Sequence, residues 1–293
     1  MEEKNMTALV SCFARAYHNK NSNIKIYEDE LAEKILSKEE YNNISVNMSN
    51  GIKFFNPKFT GNNDEALNWI VNNNLAPSIL ARSAFTAKSL QRDKKLGLKQ
   101  YLVFASGYDT YSYIDKDLQC FEIDKENIIE DKIRRLKNAN IDYSNVKYIK
   151  TDFTIDNWQD SLINSEINWN KKVFCSLLGI SYYLTKNQFY NMINKISKLM
   201  CKGSTIVFDY PIIEDSEKEE ITRKLAKGAN EEMKSKYSYE ELELKFQEYS
   251  LLIYEHLDYK DINEQYFKEY NSKSGNKITA PKGVNYCLAV KKI

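Results

Sequence analysis

Gly107 and Asp124 carry the chemistry that this 293-residue chain offers most plainly. Tyr101 to Phe104 is a short apolar, β-rich run that stops at Ala105-Ser106-Gly107, and a second short run, Cys120 to Ile123, stops at Asp124. A strand, a small-residue turn, a connection and a second strand ending on a carboxylate is the order found where a doubly wound sheet binds a nucleoside. The turn lets a ligand approach backbone, and the acid accepts hydrogen bonds from ribose hydroxyls. Only Gly107 stands where a dinucleotide fingerprint needs three glycines, so the pattern points to a nucleoside ligand without a pyrophosphate rather than to NAD.

These residues need a sheet behind them. Strands are expected near 101–105, 120–124, 146–150, 172–178 and 204–209, separated by helical patterns at 126–138, 157–163 and 187–200. Thr185 to Gln188 is a capping box for the last of these, and Lys202-Gly203 ends it. Such alternation implies a parallel sheet, whose ligands lie beyond the carboxyl ends of the strands. That rule selects Gly107, Asp109, Asp124, Asp152 and the segment after Val173. Asp109 and Asp152 serve equally well as turn or capping acids, and Glu122 reads either as a buried hydrogen-bonded acid or as a site residue. Before the sheet, the first ninety residues read as helical: Thr7 to Tyr17, a helix opened by the Ser37 to Glu40 capping box, a third after Gly61-Asn62-Asn63-Asp64, and one over 77–95 with Pro77 in its first turn. After Pro211 a charged helical stretch runs to about 236, then a capped helix spans Ser238 to Gln247. Two last strands, Leu251 to His256 and Asn285 to Val290, flank a polar loop containing Tyr266, Phe267 and Tyr270.

The blocks ARSAFTAKSL (81–90), FASGYDTYSY (104–113), FEIDKENIIEDK (121–132) and KTDF (150–153) together resemble the leucine carboxyl methyltransferase family, within the class I S-adenosylmethionine-dependent methyltransferases. The resemblance is clearest over 76–211. It implies a Rossmann-like seven-stranded sheet whose last strand pair is antiparallel. It also implies S-adenosyl-L-methionine as cofactor: Asp124 on the ribose, Asp152 and Phe153 flanking the adenine, Arg82 holding the methionine carboxylate with its planar fork, and Ala105, Ser106, Gly107, Asp109 and Leu178 completing the site. Two positions depart from the family pattern. Ala105-Ser106 replaces the first loop glycine, and Leu178 stands where many members have a glutamate. Lys132 matches a family lysine and reads as a structural ion-pair residue.

Composition narrows the partners. Forty-two basic residues against forty-one acidic ones, with no dense Lys/Arg block, argue against a nucleic-acid surface. No apolar run is long enough for a membrane, and the acidic start MEEKNMTALV lacks a signal-peptide core. The five cysteines show no metal-ligand spacing and read as buried thiols of a cytoplasmic protein. The organisation expected is a helical cap over 1–95, including a cofactor-contacting helix, and a core over 96–293 with a helical lid insertion at about 212–249. The function expected is transfer of a methyl group to oxygen of a small molecule or carboxylate; the alternative is a protein that keeps the fold and binds the nucleoside, or a partner, without turnover. Catalytic candidates are His18, Tyr182 and Tyr183, the two tyrosines reading equally well as core packing. Oligomeric state is left open.

Overall fold

A computed structural model describes residues 6–213 and 233–292. The helical first part comprises α1 (Met6–Asn21), α2 (Ala32–Ile35), α3 (Lys38–Asn50), α4 (Ile52–Phe55), α5 (Asn63–Ile70) and α6 (Ala76–Lys95). The sheet begins with β1 (Gln100–Phe104) and β2 (Gln119–Asp124), followed by α7 (Glu126–Asn138), β3 (Val146–Lys150), α8 (Asp160–Ile163), β4 (Val173–Leu177), α9 (Lys186–Leu199) and β5 (Thr205–Pro211). The chain resumes with α10 (Tyr239–Glu248), β6 (Leu251–Leu257), α11 (Tyr259–Ile262), α12 (Lys268–Lys273) and β7 (Val284–Lys291).

The seven strands lie in the order β3-β2-β1-β4-β5-β7-β6. The pairs from β3 to β5 are parallel, and β7 runs antiparallel to both β5 and β6. The order reverses between β1 and β4, the place where a doubly wound sheet opens a crevice for its ligand. The central strands β1, β4 and β5 are buried along their whole length, as expected of parallel strands covered on both faces. Their side chains alternate between the two layers. Tyr101, Val103 and Cys120 join Phe13, Leu80 and Phe85 of the N-terminal helices in one cluster. Leu102, Phe104, Phe121 and Ile123 join Phe189 and Ile193 of α9 in the other. The N-terminal helices α1 and α6 thus bury apolar faces directly on the sheet.

Local chemistry explains the element ends. Ser37, Asn62 and Thr185 each close a complete capping box, satisfying two otherwise orphaned N–H groups at each helix start. Pro77 stands in the first turn of α6, as expected, and α6 follows α5 through one π-helical turn, Val71–Leu75. Two other segments differ from expectation. The loop between the last strands is mostly helical, because Asp258 caps α11 and Ile262, Phe267 and Tyr270 recur at helical spacing and are buried. The helix expected over 157–163 shrinks to the four residues of α8.

The charged stretch expected to about 236 falls mainly on 214–232, outside the described residues. Where the expected lid over 212–249 is described, α10 behaves as core rather than as cover. Its Leu242 and Phe246 are fully buried, packed with Phe208, Tyr237 and Leu251. No helix among the described residues is long and apolar enough to cross a membrane.

Candidate functional site

A cavity of about 680 Å³ opens over the carboxyl ends of β1 to β4, lined by the turn after β1, the ends of β2 and β3, the segment after β4, and residues of α1 and α6. It gathers all nine expected cofactor residues: Arg82, Ala105, Ser106, Gly107, Asp109, Asp124, Asp152, Phe153 and Leu178.

The turn after β1 is shaped by its backbone. Gly107 has φ +44°, and a Cβ there would sit 3.2 Å from the Ala8 methyl of α1, so a side chain would be both strained and crowded. Ala105 has φ +50°, a left-handed conformation that an L-residue adopts at a cost. Asp124 locks this turn to β2: its Oδ2 accepts from the Gly107 N–H at 2.8 Å and its Oδ1 from the Lys125 N–H at 2.8 Å. Burial raises the Asp124 pKa against these two donors, which favour the ionised form. Asp109 accepts from the Tyr111 N–H (2.9 Å) as a turn acid. Asp152 accepts from the Thr154 N–H (2.9 Å) and hydroxyl (2.7 Å) and faces Lys125 at 3.5 Å. Burial opposes its charge, but these donors and Lys125 prevail and its pKa is lowered. Phe153 packs on Phe104 and Trp158.

The segment after β4 is built differently, around a residue that strand-pattern reasoning passed over. Asp209 on β5 is fully buried and takes the Gly179 N–H on Oδ1 (2.6 Å), with Arg82 Nη1 (3.1 Å) and the Tyr182 hydroxyl (3.0 Å) on Oδ2. Burial works against the Arg82 charge, and Asp209 together with Tyr182 and Tyr286 more than offsets it, so the net shift is upward. Gly179, at φ +68°, leaves room for that guanidinium, since a Cβ would lie 3.0 Å from Nη1. The signal was available: Asp209 is an acid near the carboxyl end of a strand, by the same rule that selected Asp124.

A second network fixes α1 to the Gly107 turn. Arg15 donates to Asp29 (2.7 Å) and to the Tyr108 carbonyl (2.7 Å), and the Thr110 hydroxyl donates to the same Asp29 oxygen (2.7 Å). Arg15 and Asp29, both buried, were not singled out from the sequence as site residues.

The three catalytic candidates separate. Tyr183 lines the cavity. Tyr182 is not among its lining residues; its hydroxyl is committed to Asp209, and burial pushes its pKa far up. His18 is buried away from the cavity, its Nε2 accepts from the Ile26 N–H at 3.0 Å, and burial followed by Lys25 lowers its pKa to about 4. Its one imidazole acceptor is used structurally, which speaks against His18 among the catalytic candidates. Glu122 and Lys132 also lie off the cavity, as an ion pair at 2.6 Å with both side chains fully buried, and the Tyr113 hydroxyl donates to Glu122 at 2.8 Å.

The sequence profile of leucine carboxyl methyltransferases matches residues 8–197. The chain belongs to that family. It is therefore an S-adenosylmethionine-dependent methyltransferase, with S-adenosylmethionine as its cofactor. A Bacillus subtilis (strain 168) protein named "Putative S-adenosyl-L-methionine-dependent methyltransferase YktD" is 33% identical over 305 residues, covering 99% of each chain. Among solved structures, a protein titled a putative methyltransferase from Thermobifida fusca YX superposes with a TM-score of 0.60 at 12% identity, covering 100% of this chain and 97% of the other. A DUF574 family protein from Streptomyces avermitilis MA-4680 gives 0.56 at 11% identity, covering 82% and 97%. At such identities these two structures speak for the fold.

Proposed function

We propose that this methyltransferase acts on oxygen, transferring the methyl group to a carboxylate or to an acidic phenol or enol of a small molecule. The observation that carries the reading is the division of the cavity on either side of β1. Asp124 and Asp152 lie at the ends of β2 and β3, whereas the segment after β4 contributes Leu178, Ile180, Tyr183 and Leu184.

The residues present fit the cofactor. The two Asp124 oxygens each hold one N–H and keep lone pairs for ribose hydroxyls. The buried Ser106 hydroxyl has no partner among the described residues and lines the cavity. Asp152 and Phe153 would flank the adenine, Arg82 would hold the methionine carboxylate, and Ala105, Gly107, Asp109 and Leu178 would complete the wall. When bound, the sulfonium supplies an electrophilic methyl group. The protein's contribution is to hold the acceptor oxygen in line with it and to keep water out, and positioning of this kind accounts for a large share of such rate enhancements. The apolar wall after β4 serves that exclusion. With His18 and Tyr182 committed elsewhere, an acceptor that arrives ionised is favoured, because a carboxylate needs no general base whereas an aliphatic alcohol must lose a proton.

The test is S-adenosylhomocysteine titration followed by turnover on a panel of carboxylic acids, phenols and aliphatic alcohols. A methyl ester product releases methanol in alkali. Expected are tight cofactor binding, methyl transfer to an acid or phenol, and a turnover rate nearly flat between about pH 6 and 9 for a carboxylate. Methylation confined to aliphatic alcohols would overturn the acceptor assignment, and binding without any product would favour a non-catalytic nucleoside-binding protein.

A further inference from the structure

We infer that Asp209 is a positioning residue: it orients Arg82 for the cofactor's carboxylate and ties that arginine to the acceptor-side segment. This rests on the cofactor reading of Arg82. Arg82 comes from α6 and Asp209 from β5, far apart in sequence, and they meet at 3.1 Å with the carboxylate 1% and the arginine side chain 17% exposed. A guanidinium so enclosed needs an opposing charge, and Asp209 supplies it through one terminal nitrogen only, Nη1. The side chain still lines the cavity, so the rest of the planar fork is available for a second, paired interaction with a carboxylate.

The orientation is over-determined. Asp209 cannot swing, because the Gly179 N–H holds its other oxygen at 2.6 Å and the Tyr182 hydroxyl shares the oxygen that meets Arg82. Its own main-chain carbonyl accepts from the Ser181 hydroxyl at 2.7 Å. Three groups therefore converge on one carboxylate: the Arg82 guanidinium, the Gly179 N–H and the hydroxyl of Tyr182, whose carbonyl accepts from the Lys234 N–H at 2.7 Å. Loss of the Asp209 charge releases the guanidinium, leaving nucleoside recognition at Asp124 intact.

The experiment compares two ligands on the folded full-length protein by calorimetry: S-adenosylhomocysteine, and 5′-methylthioadenosine, which keeps the nucleoside and sulfur but lacks the amino-acid carboxylate. Asp209→Asn should weaken S-adenosylhomocysteine by about tenfold or more, the scale of a charged hydrogen bond, and leave methylthioadenosine within about twofold. In an Arg82→Ala background Asp209→Asn should add nothing, because the two act as a unit. Equal weakening of both ligands, or full additivity with Arg82→Ala, would overturn the inference by making Asp209 merely structural. Should Asp209→Asn fail to fold, Tyr182→Phe loosens the same carboxylate without touching its charge. It should weaken S-adenosylhomocysteine severalfold and methylthioadenosine not at all, and an unselective or absent effect overturns the proposal. Arg82→Ala with unchanged affinity for S-adenosylhomocysteine would instead defeat the cofactor reading of Arg82. A selective loss in Arg82→Ala beside no effect in Asp209→Asn would defeat only the inference about Asp209.

Discussion

The two sides of the cavity hold their polar groups in different ways. At the ends of β1 to β3, each cavity-lining acid is held by groups near in the chain: Asp109 by the Tyr111 N–H, Asp152 by Thr154, Asp124 by Lys125 and by Gly107 at the start of the same connection. After β4, the holding contacts join separate elements: Arg82 of α6 with Asp209 of β5, and Tyr182 with the same Asp209. Local anchoring makes the first side a short motif. Long-range anchoring ties the second side to the packing of elements far apart in the chain.

The largest effect tests how far local anchoring depends on what lies beneath it. Glu122 and Lys132 form a fully buried pair on β2 and α7, below the acids of the first side. Lys132→Met leaves the Glu122 carboxylate buried and without its cation, which should cost about 3–5 kcal/mol of unfolding free energy in denaturant titrations. Adding Glu122→Leu to the same chain should recover much of it, since replacing both partners by apolar groups is often neutral. A Lys132→Met protein of wild-type stability would mean that the pair contributes nothing and that the local hydrogen bonds suffice alone.

Next in size is the pH response of α1, which packs against the Gly107 turn. Folding lowers the His18 pKa from 6.5 to about 4. The unfolded chain thus takes up a proton that the folded chain refuses, so the stability contributed above the unfolded value is lost as pH falls from about 6.5 through about 4. At about 1.36 kcal/mol per unit the loss has a ceiling near 3 kcal/mol. His18→Gln, which keeps a polar acceptor without a titrating ring, should show a shallower fall in stability over that window, while activity at neutral pH stays close to wild type. Identical pH profiles for the two proteins would mean that His18 is solvated and free, contrary to its buried bond from Ile26.

Sequence legibility followed the same division. β1, β2 and α7 were readable because apolar runs, a small-residue turn and an acid fall within a few dozen residues, and Asp124 stood out by its distance from Gly107. Asp209 obeyed the same strand-end rule but lacked a nearby glycine turn to draw attention to it, and its partners Arg82, Gly179 and Tyr182 come together only in the folded chain. Arg15 and Asp29 were hidden for the same reason, since nothing in an amphipathic helix announces that its arginine will meet a carbonyl of a distant turn. His18 is the converse case: a residue with suitable chemistry in isolation is spent on a backbone N–H.

The ribose assignment comes third. Asp124→Ala should weaken S-adenosylhomocysteine by about 1.5–3 kcal/mol, the range for hydrogen bonds to a charged group. Because Asp124 also holds Gly107 and Lys125, Asp124→Asn is the sharper variant: its amide oxygen can keep one of those bonds while the charge is lost. Unchanged affinity in a folded Asp124→Ala protein would remove the ribose role and leave Asp124 as a turn lock.

The smallest effect bears on whether the first side is defined by backbone shape alone. Ala105 sits at φ +50°, where the family pattern has glycine and where an L-residue carries strain of roughly 1–2 kcal/mol. Ala105→Gly relieves that strain but gives the unfolded chain more freedom, which takes back about 0.4–1 kcal/mol. The net gain should therefore lie between about 0 and 1.6 kcal/mol and appear as a small rise in Tm. Cofactor affinity should change by less than about twofold, because the Gly107 N–H is held by Asp124 whichever residue stands at 105. A tenfold change in affinity would show instead that the Ala105 methyl group or its strain acts on the ligand directly, and the first side would then depend on a side chain at a position where only the course of the backbone is expected to matter.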